Sequence, residues 1–209
     1  MKAEMLMYSG NVIDVLNLTE NDILLGDIFH GLSKQQRFMG QMEPDYTVAQ
    51  HSVLCARLQA LDRYVSNEQI LWALIHDFQE AYVMDIPTPI KNNLYIKDEK
   101  TLSYISFREK ENEIFETIIK ALRIDCYKEN ISYDDLLNVD KLMLKIEQAV
   151  FSTDLDFLKK YPETVYTSIG KMSNQEAKVL ITDSYKEVVS CLYYGKDINP
   201  MTCPVLLGV

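Results

Sequence analysis

Glycine and proline are scarce, 7 and 6 among 209 residues, and long segments contain neither. A chain so poor in turn formers does not read as a turn-rich β protein; it reads as mostly helical. Positive charge is in deficit too: 21 Lys and Arg stand against 31 Asp and Glu, a formal net charge of −10. Such a surface repels nucleic-acid backbones, so no nucleic-acid polymer is expected as a main partner, and a small anionic ligand would need local cations or a metal. No apolar run reaches transmembrane length, and the opening MKAEMLMYSG lacks a basic-plus-apolar signal pattern. The expectation is therefore no membrane partner and a cytoplasmic setting, the host cytoplasm if the chain is phage-encoded. The four cysteines form no CxxC pair. Cys55 and Cys191 lie in apolar helical contexts and read as reduced core thiols. There is no internal repeat and no low-complexity tract.

What is present suits one domain over residues 1–209, since 47% of the residues are hydrophobic and a core of useful size can form. Residues 1–18 read as extended or irregular, with room for short N-terminal strands. Thr19 with Asp22 in TEND opens a first short helix to about Leu32. SKQQRFMGQMEPD reads as a loop. A second helix begins near Thr47 and runs through VAQHSVLCARLQAL, and a third spans about Asn67 to Tyr82. MDIPTPIKNNL reads as a loop because Pro87 and Pro89 remove backbone donors. A charged amphipathic helix is expected over about Asp98 to Leu122. Ser132 caps another, through Phe151, and Ser173 opens the last, to Tyr194. The tail NPMTCPVLLGV shows no helical period. The fold class expected is all-α, a helical bundle.

Histidine is the scarcest of the chemically useful residues: His30, His51 and His76 are the only three. His51 shares a helical stripe with Val48, Leu54, Cys55 and Leu58. His76 follows Trp72 and Ala73 on its own stripe, with Asp77 beside it and Glu80 one turn on. An inward histidine is more often a hydrogen-bonded core residue than a ligand, and an HD pair is common. Asp140 changes the balance. It is flanked at −4, −3, +3 and +4 by Leu136, Leu137, Met143 and Leu144, so it should be partly buried and needs a cation, a donor or a raised pKa. Two histidines and two aspartates thus point into one interior. A divalent metal would compensate all four, and imidazole plus carboxylate suits Mn, Co, Fe, Ni or Zn better than Ca.

Three blocks in order, GDIFHGLSKQQRFMG, YTVAQHSVLCARL and ALIHDFQEAYVMDIPTPIK, carry a resemblance. With Asp140 they resemble the HD-domain phosphohydrolases, and within them the 5′-deoxynucleotidase and phage dNTP triphosphohydrolase group. That group shows an Arg-aromatic pair, an (S/T)VA(E/Q)HS block and HDxxEAYxGDIPxPxK. The likeness covers most of residues 8–150, a motif-bearing core of about 8–153; the segment 154–209 carries no motif. Met84 departs from the pattern, standing where the group has Gly.

The resemblance implies an HD-domain bundle with one divalent ion (Co, Mn, Zn, Ni, Fe or Mg) held by His51, His76, Asp77 and Asp140. With only His30 to spare, one metal is expected rather than two or three. Glu80 is implied to orient or deprotonate a water, or to protonate the leaving oxygen. Asp85 is implied as a second acid, for general-acid work or for holding the 3′-hydroxyl. Arg37 would clamp a phosphate with its planar fork of donors, Lys91 would be a second cation, and Phe38 would pack against the sugar. The ordinary alternatives for these three are a solvated arginine, a solvated lysine and a core aromatic; His30 receives no chemistry. The implied activity is hydrolysis of a dNTP, dATP in type, to deoxynucleoside and triphosphate. A 5′-deoxynucleotidase acting on dNMPs and a non-catalytic nucleotide sensor are the alternatives. A homo-oligomer, dimer or hexamer, is implied, with the helix of 98–122 at its interface.

Overall fold

Residues 3–97 and 103–208 are described in a computed structural model. The described chain is mostly helical, with two small antiparallel hairpins. At the N-terminus β1 (Glu4–Leu6) pairs with β2 (Val12–Asp14), Met5 opposite Ile13. Gly10, at φ +90°, makes the turn between them. These are the short strands the sequence left room for.

The first helix does not start at Thr19. Asp22 accepts from the Thr19 backbone N–H at 2.8 Å and from its hydroxyl at 2.7 Å. That capping pair serves only a single 3-10 turn, because Ile23 and Leu24 are extended. The helix proper, α1 (Leu25–Lys34), follows the break.

The next helix, α2 (Val48–Gln59), is where the sequence expects it, capped by Thr47 and Gln50 in a reciprocal box. All of its residues are buried, polar ones included. It packs against α1, α3 (Asn67–Ile75), α7 (Tyr133–Ser152) and α9 (Asn174–Tyr194). The larger core gathers Ile28, Leu32, Trp72, Leu74, Ile118 and Ile181. A smaller one, between α2 and α7, holds Leu54, Leu58, Met143 and Ile146. α7 and α9 begin at Ser132 and Ser173 as expected, and Gly195 ends α9 in the left-handed conformation.

Elsewhere the chain departs from the expectation. The helix expected over Asn67–Tyr82 stops at Ile75; His76–Gln79 turn, and a separate single turn, α4, covers Glu80–Val83. Within the expected proline loop, Pro87 and Pro89 start rather than prevent a helical turn, α5 (Thr88–Lys91). That placement suits residues with no N–H to lose at a helix start. The charged helix α6 spans Phe107–Ala121, and the hairpin of β3 (Tyr95–Lys97) and β4 (Tyr104–Ser106) precedes it. The expected start of that helix, Asp98–Leu102, lies outside the described residues. A short turn, α8 (Leu155–Leu158), lies between α7 and α9, and the tail, expected without helical period, contains another, α10 (Pro204–Leu207). α10 is docked by charge rather than by helical period. The Arg57 guanidinium donates to the carbonyls of Leu206, Val205 and Thr164. Glu187 accepts from the N–H groups of Val205 and Leu206 at 3.2 and 2.9 Å. No helix among the described residues is long and apolar enough to cross a membrane.

Five non-glycine residues among those described have positive φ, and Met84 has the largest. Met84, the residue that ends α4, has φ 73° and ψ 154°, a region that essentially only glycine occupies without cost. Its side chain is exposed and packs little in return. Replacing Met84 with Gly should therefore raise the unfolding free energy by about 1 kcal/mol, the relieved strain less the extra chain entropy of glycine. Met84→Ala, which keeps the Cβ, should not; equal effects of the two in urea unfolding would refute the strain.

Candidate metal centre

His51 closes the first turn of α2, fully buried. The turn that stops α3 brings His76 and Asp77 opposite it, with the two imidazole centroids 5.4 Å apart. α7 supplies Asp140. His51 Nε2 lies 3.3 Å from Asp140 Oδ1 and 3.5 Å from Asp77 Oδ2. His76 Nε2 lies 3.2 Å from Asp77 Oδ2 and 3.9 Å from Asp140 Oδ1. The four residues expected as ligands thus meet at one point. His51, Cys55, His76 and Asp140 place one ligand atom each within 4.8 Å of one another, so these buried and half-buried side chains are positioned to hold a metal ion. Cys55, expected only as a core thiol, is one turn past His51 with Sγ 3.4 Å from His51 Nε2. Burial pushes its thiol up to about 11.

The donor set fits a divalent transition ion on three counts. Both rings have Nδ1 engaged, His51 with Glu147 Oε1 at 2.6 Å and His76 with the Ala73 carbonyl at 2.8 Å, which leaves both Nε2 atoms facing the same point. His76 Nε2 is buried and has no well-formed hydrogen bond, although Asp77 is near. Finally, donors each about 2.1 Å from a shared ion lie roughly 3.0–3.4 Å apart, close to the spacings of 3.2–3.5 Å seen here.

Without an ion, the carboxylates and rings compensate each other. Burial lowers both imidazoles. For His51, Glu147 and Asp140 outweigh burial and Arg37, and for His76, Asp77 and Asp140 outweigh it, so both rings are raised above the ordinary histidine range. Conversely, burial raises Asp77 and Asp140, but the histidines outweigh it and hold both below the usual carboxylate range. Asp140 is partly buried, as expected; of the stripe expected around it Met143 is buried but Leu137 is exposed, and the inward face of α7 continues through Ile146, Glu147 and Ala149.

A cleft of about 440 Å³ opens beside the centre, and Arg37, Phe38, Asp77, Glu80, Asp85 and Lys91 are among the residues lining it. A hollow of about 500 Å³ near Gln59, Asp62 and Asp135 is as large but brings no histidine. Arg37 points its Nη2 to Glu147 Oε2 at 3.2 Å and its Nη1 to Asp77 and Asp85 at 3.9 Å each. Phe38, at φ 54°, lines the cleft and packs edge-on against Phe151 at 5.8 Å. Lys91 is already engaged, 2.7 Å from Glu111 and 3.6 Å from Glu80. Glu80 is buried with Oε2 unpaired. Burial, Asp77 and Asp85 together raise its carboxyl well above the usual range, against Lys91 and Arg37. Gln35 holds this segment by donating to the Glu80 carbonyl at 2.7 Å and accepting from the Asp85 N–H at 3.2 Å. His30 is elsewhere, stacked on Tyr8.

Sequence reasoning missed Glu147 and Tyr46. Glu147 is fully buried seven residues after Asp140, among Met143, Ile146 and Val150. The rule that singled out Asp140, an acid within an apolar helical stripe, applies to it with more force.

No protein-family model matches the chain. It is similar to the uncharacterized protein YfdR of Escherichia coli K12, 40% identical over 87 residues, which are 42% of this chain and 46% of that protein. It is likewise similar to an uncharacterized protein of Rhodobacter capsulatus, 40% identical over 88 residues, 41% of this chain and 45% of that one. The chain spans about half the length of the curated relatives it matches.

Metal should stabilise the protein in a pH-dependent way. Their carboxylate neighbours raise the imidazoles of His51 and His76, so both hold their protons to higher pH than an ordinary histidine. The stability from their pairing is complete below the ordinary imidazole range and is lost as pH rises through the higher folded values. An ion must displace those protons. The rise in Tm on adding zinc or manganese should thus grow from about pH 6 to about pH 8. A rise independent of pH, measured by thermal unfolding, would exclude the histidines as ligands.

Proposed function

We propose that the chain is an HD-type deoxynucleotide phosphohydrolase whose preferred reaction releases triphosphate from a dNTP, dATP in type. The convergence of His51, His76, Asp77 and Asp140 beside a cleft lined by both cations and acids carries this reading. The motif blocks supply the nucleotide. Met84 supports it from the backbone: the residue that departs from the group's glycine has the glycine conformation.

A divalent ion on these ligands would neutralise charge at the phosphorus and acidify a water. The protein's own groups divide the rest. Arg37 offers its fork to a phosphate; buried among Glu147, Asp77 and Asp85, it stays charged and pointed into the cleft. Glu80, whose carboxyl is held well above the usual range by burial and its acidic neighbours, suits the general acid. In the hydrolysis the water oxygen bonds to the α-phosphorus, the bond to the sugar 5′-oxygen breaks, and the Glu80 proton passes to that oxygen. The water's proton returns to the carboxylate so formed. Asp85, on the cleft wall, would accept from a sugar hydroxyl, and Phe38 would cover the sugar.

A 5′-deoxynucleotidase acting on dNMPs is the second reading, and one observation favours it. Lys91 is paired with Glu111 and Glu80, and Arg37 with Glu147. The cleft therefore has little uncommitted positive charge for the more highly charged triphosphate.

With manganese or cobalt, chromatography of products should show deoxyadenosine and triphosphate from dATP. Orthophosphate from dAMP instead would establish the second reading, and no turnover of either would reject both. Glu80→Gln, which keeps the shape but not the transferable proton, should retain metal while losing about 10²-fold or more in kcat. Full activity in that variant would remove Glu80 from the chemistry.

A further inference from the structure

We infer that Glu147 is the positioning residue of the metal centre: it fixes the proton of His51 on Nδ1, so that Nε2 alone faces the ion, and it ties that ring to Arg37. The inference rests on the metal reading above. A neutral imidazole has one proton, and the nitrogen that carries it decides which lone pair is free to ligate. Glu147 makes that choice for His51. Its Oε1 lies 2.6 Å from His51 Nδ1 and accepts from the Tyr46 hydroxyl at 2.8 Å, and its Oε2 accepts from Arg37 Nη2 at 3.2 Å. A carboxylate that faces the Arg37 guanidinium and accepts from the Tyr46 hydroxyl acts as an acceptor, so the ring nitrogen must donate.

Two further observations set Glu147 apart from ordinary core pairing. α7 carries both Asp140 and Glu147 on turns that flank the ring, so one helix addresses both nitrogens of His51. His76 has its Nδ1 held by a neutral backbone carbonyl of its own helix, whereas His51 is held by a charge brought from 96 residues away. Glu147 also restrains Arg37, whose Nη1 is already 3.9 Å from Asp77. Without Glu147 that guanidinium would turn to Asp77 and compete with the ion for it.

The test uses zinc as the probe and the full chain. Zinc affinity is measured by chelator competition, Tm by thermal unfolding, and the histidine ring nitrogens by ¹⁵N NMR of the zinc-loaded protein. Glu147→Gln, whose amide oxygen still accepts from Nδ1, should bind zinc about 10-fold more weakly, and Glu147→Leu about 100-fold more weakly. Tyr46→Phe, which removes another partner of Glu147 without touching His51, should lower Tm and leave zinc affinity unchanged. The protonated Nδ1 signal of His51 should persist in Glu147→Gln and be lost in Glu147→Leu. Unchanged zinc affinity in both Glu147 variants would overturn the inference. So would a loss in all three variants that follows the fall in Tm. If Glu147→Leu does not fold, Glu147→Gln and its ring signal decide alone. Failure of the unsubstituted protein to bind zinc, cobalt or manganese would overturn the metal reading itself, a separate result.

Discussion

The structure depends on how a histidine is kept in a helix that has no exposed side. α2 is packed by neighbours all round, so the polar atoms of His51 have no water to turn to. Each must be answered by the protein, and each answer creates another requirement. Glu147 takes Nδ1; Arg37 and Tyr46 then compensate Glu147; Asp77 and Asp85 lie next to Arg37. The chain of compensation ends at the cleft, where Lys91 lies between Glu80 and Glu111. Buried ionic networks of this kind are poor stabilisers compared with apolar packing of equal volume. Their concentration on one side of α2, open to a cleft, fits a site better than a core.

Backbone geometry completes the arrangement. If α3 continued through His76, as its periodicity suggests, His76 and Asp77 would point about 100° apart around the axis. The turn at His76–Gln79 folds Asp77 back onto the two imidazoles, while α4 sends the Glu80 side chain to Lys91. Met84 then reverses the chain in a conformation costly for its side chain, and Gln35 pins the result from both sides. Strain held beside such a cleft by surrounding hydrogen bonds is the pattern expected where geometry matters more than stability.

Much of this was legible before folding. The helices at Thr47, Ser132 and Ser173 follow from their caps and apolar periods, and His51, His76, Asp77 and Asp140 were found as polar residues on apolar faces. Others were not. The 3-10 turn at Glu20–Asp22 uses the same capping residues as a helix start, so the cap alone could not tell them apart. The hairpin before α6 has strands of three residues, too short for an alternation to register. Lys91 read as a free cation because its partner Glu111 lies on α6, remote in sequence.

By itself the sequence determined which side chains are carried on which helical faces, because the 3.6-residue period and the caps are local properties of the chain. It also determined that acids and imidazoles would be buried and would need partners. Only the tertiary structure decided who those partners are. That Asp140 and Glu147 flank one imidazole, and that Arg37 is held by Glu147, both follow from which helix faces meet. Burial selects those meetings among elements far apart in the chain, where no local pattern records them.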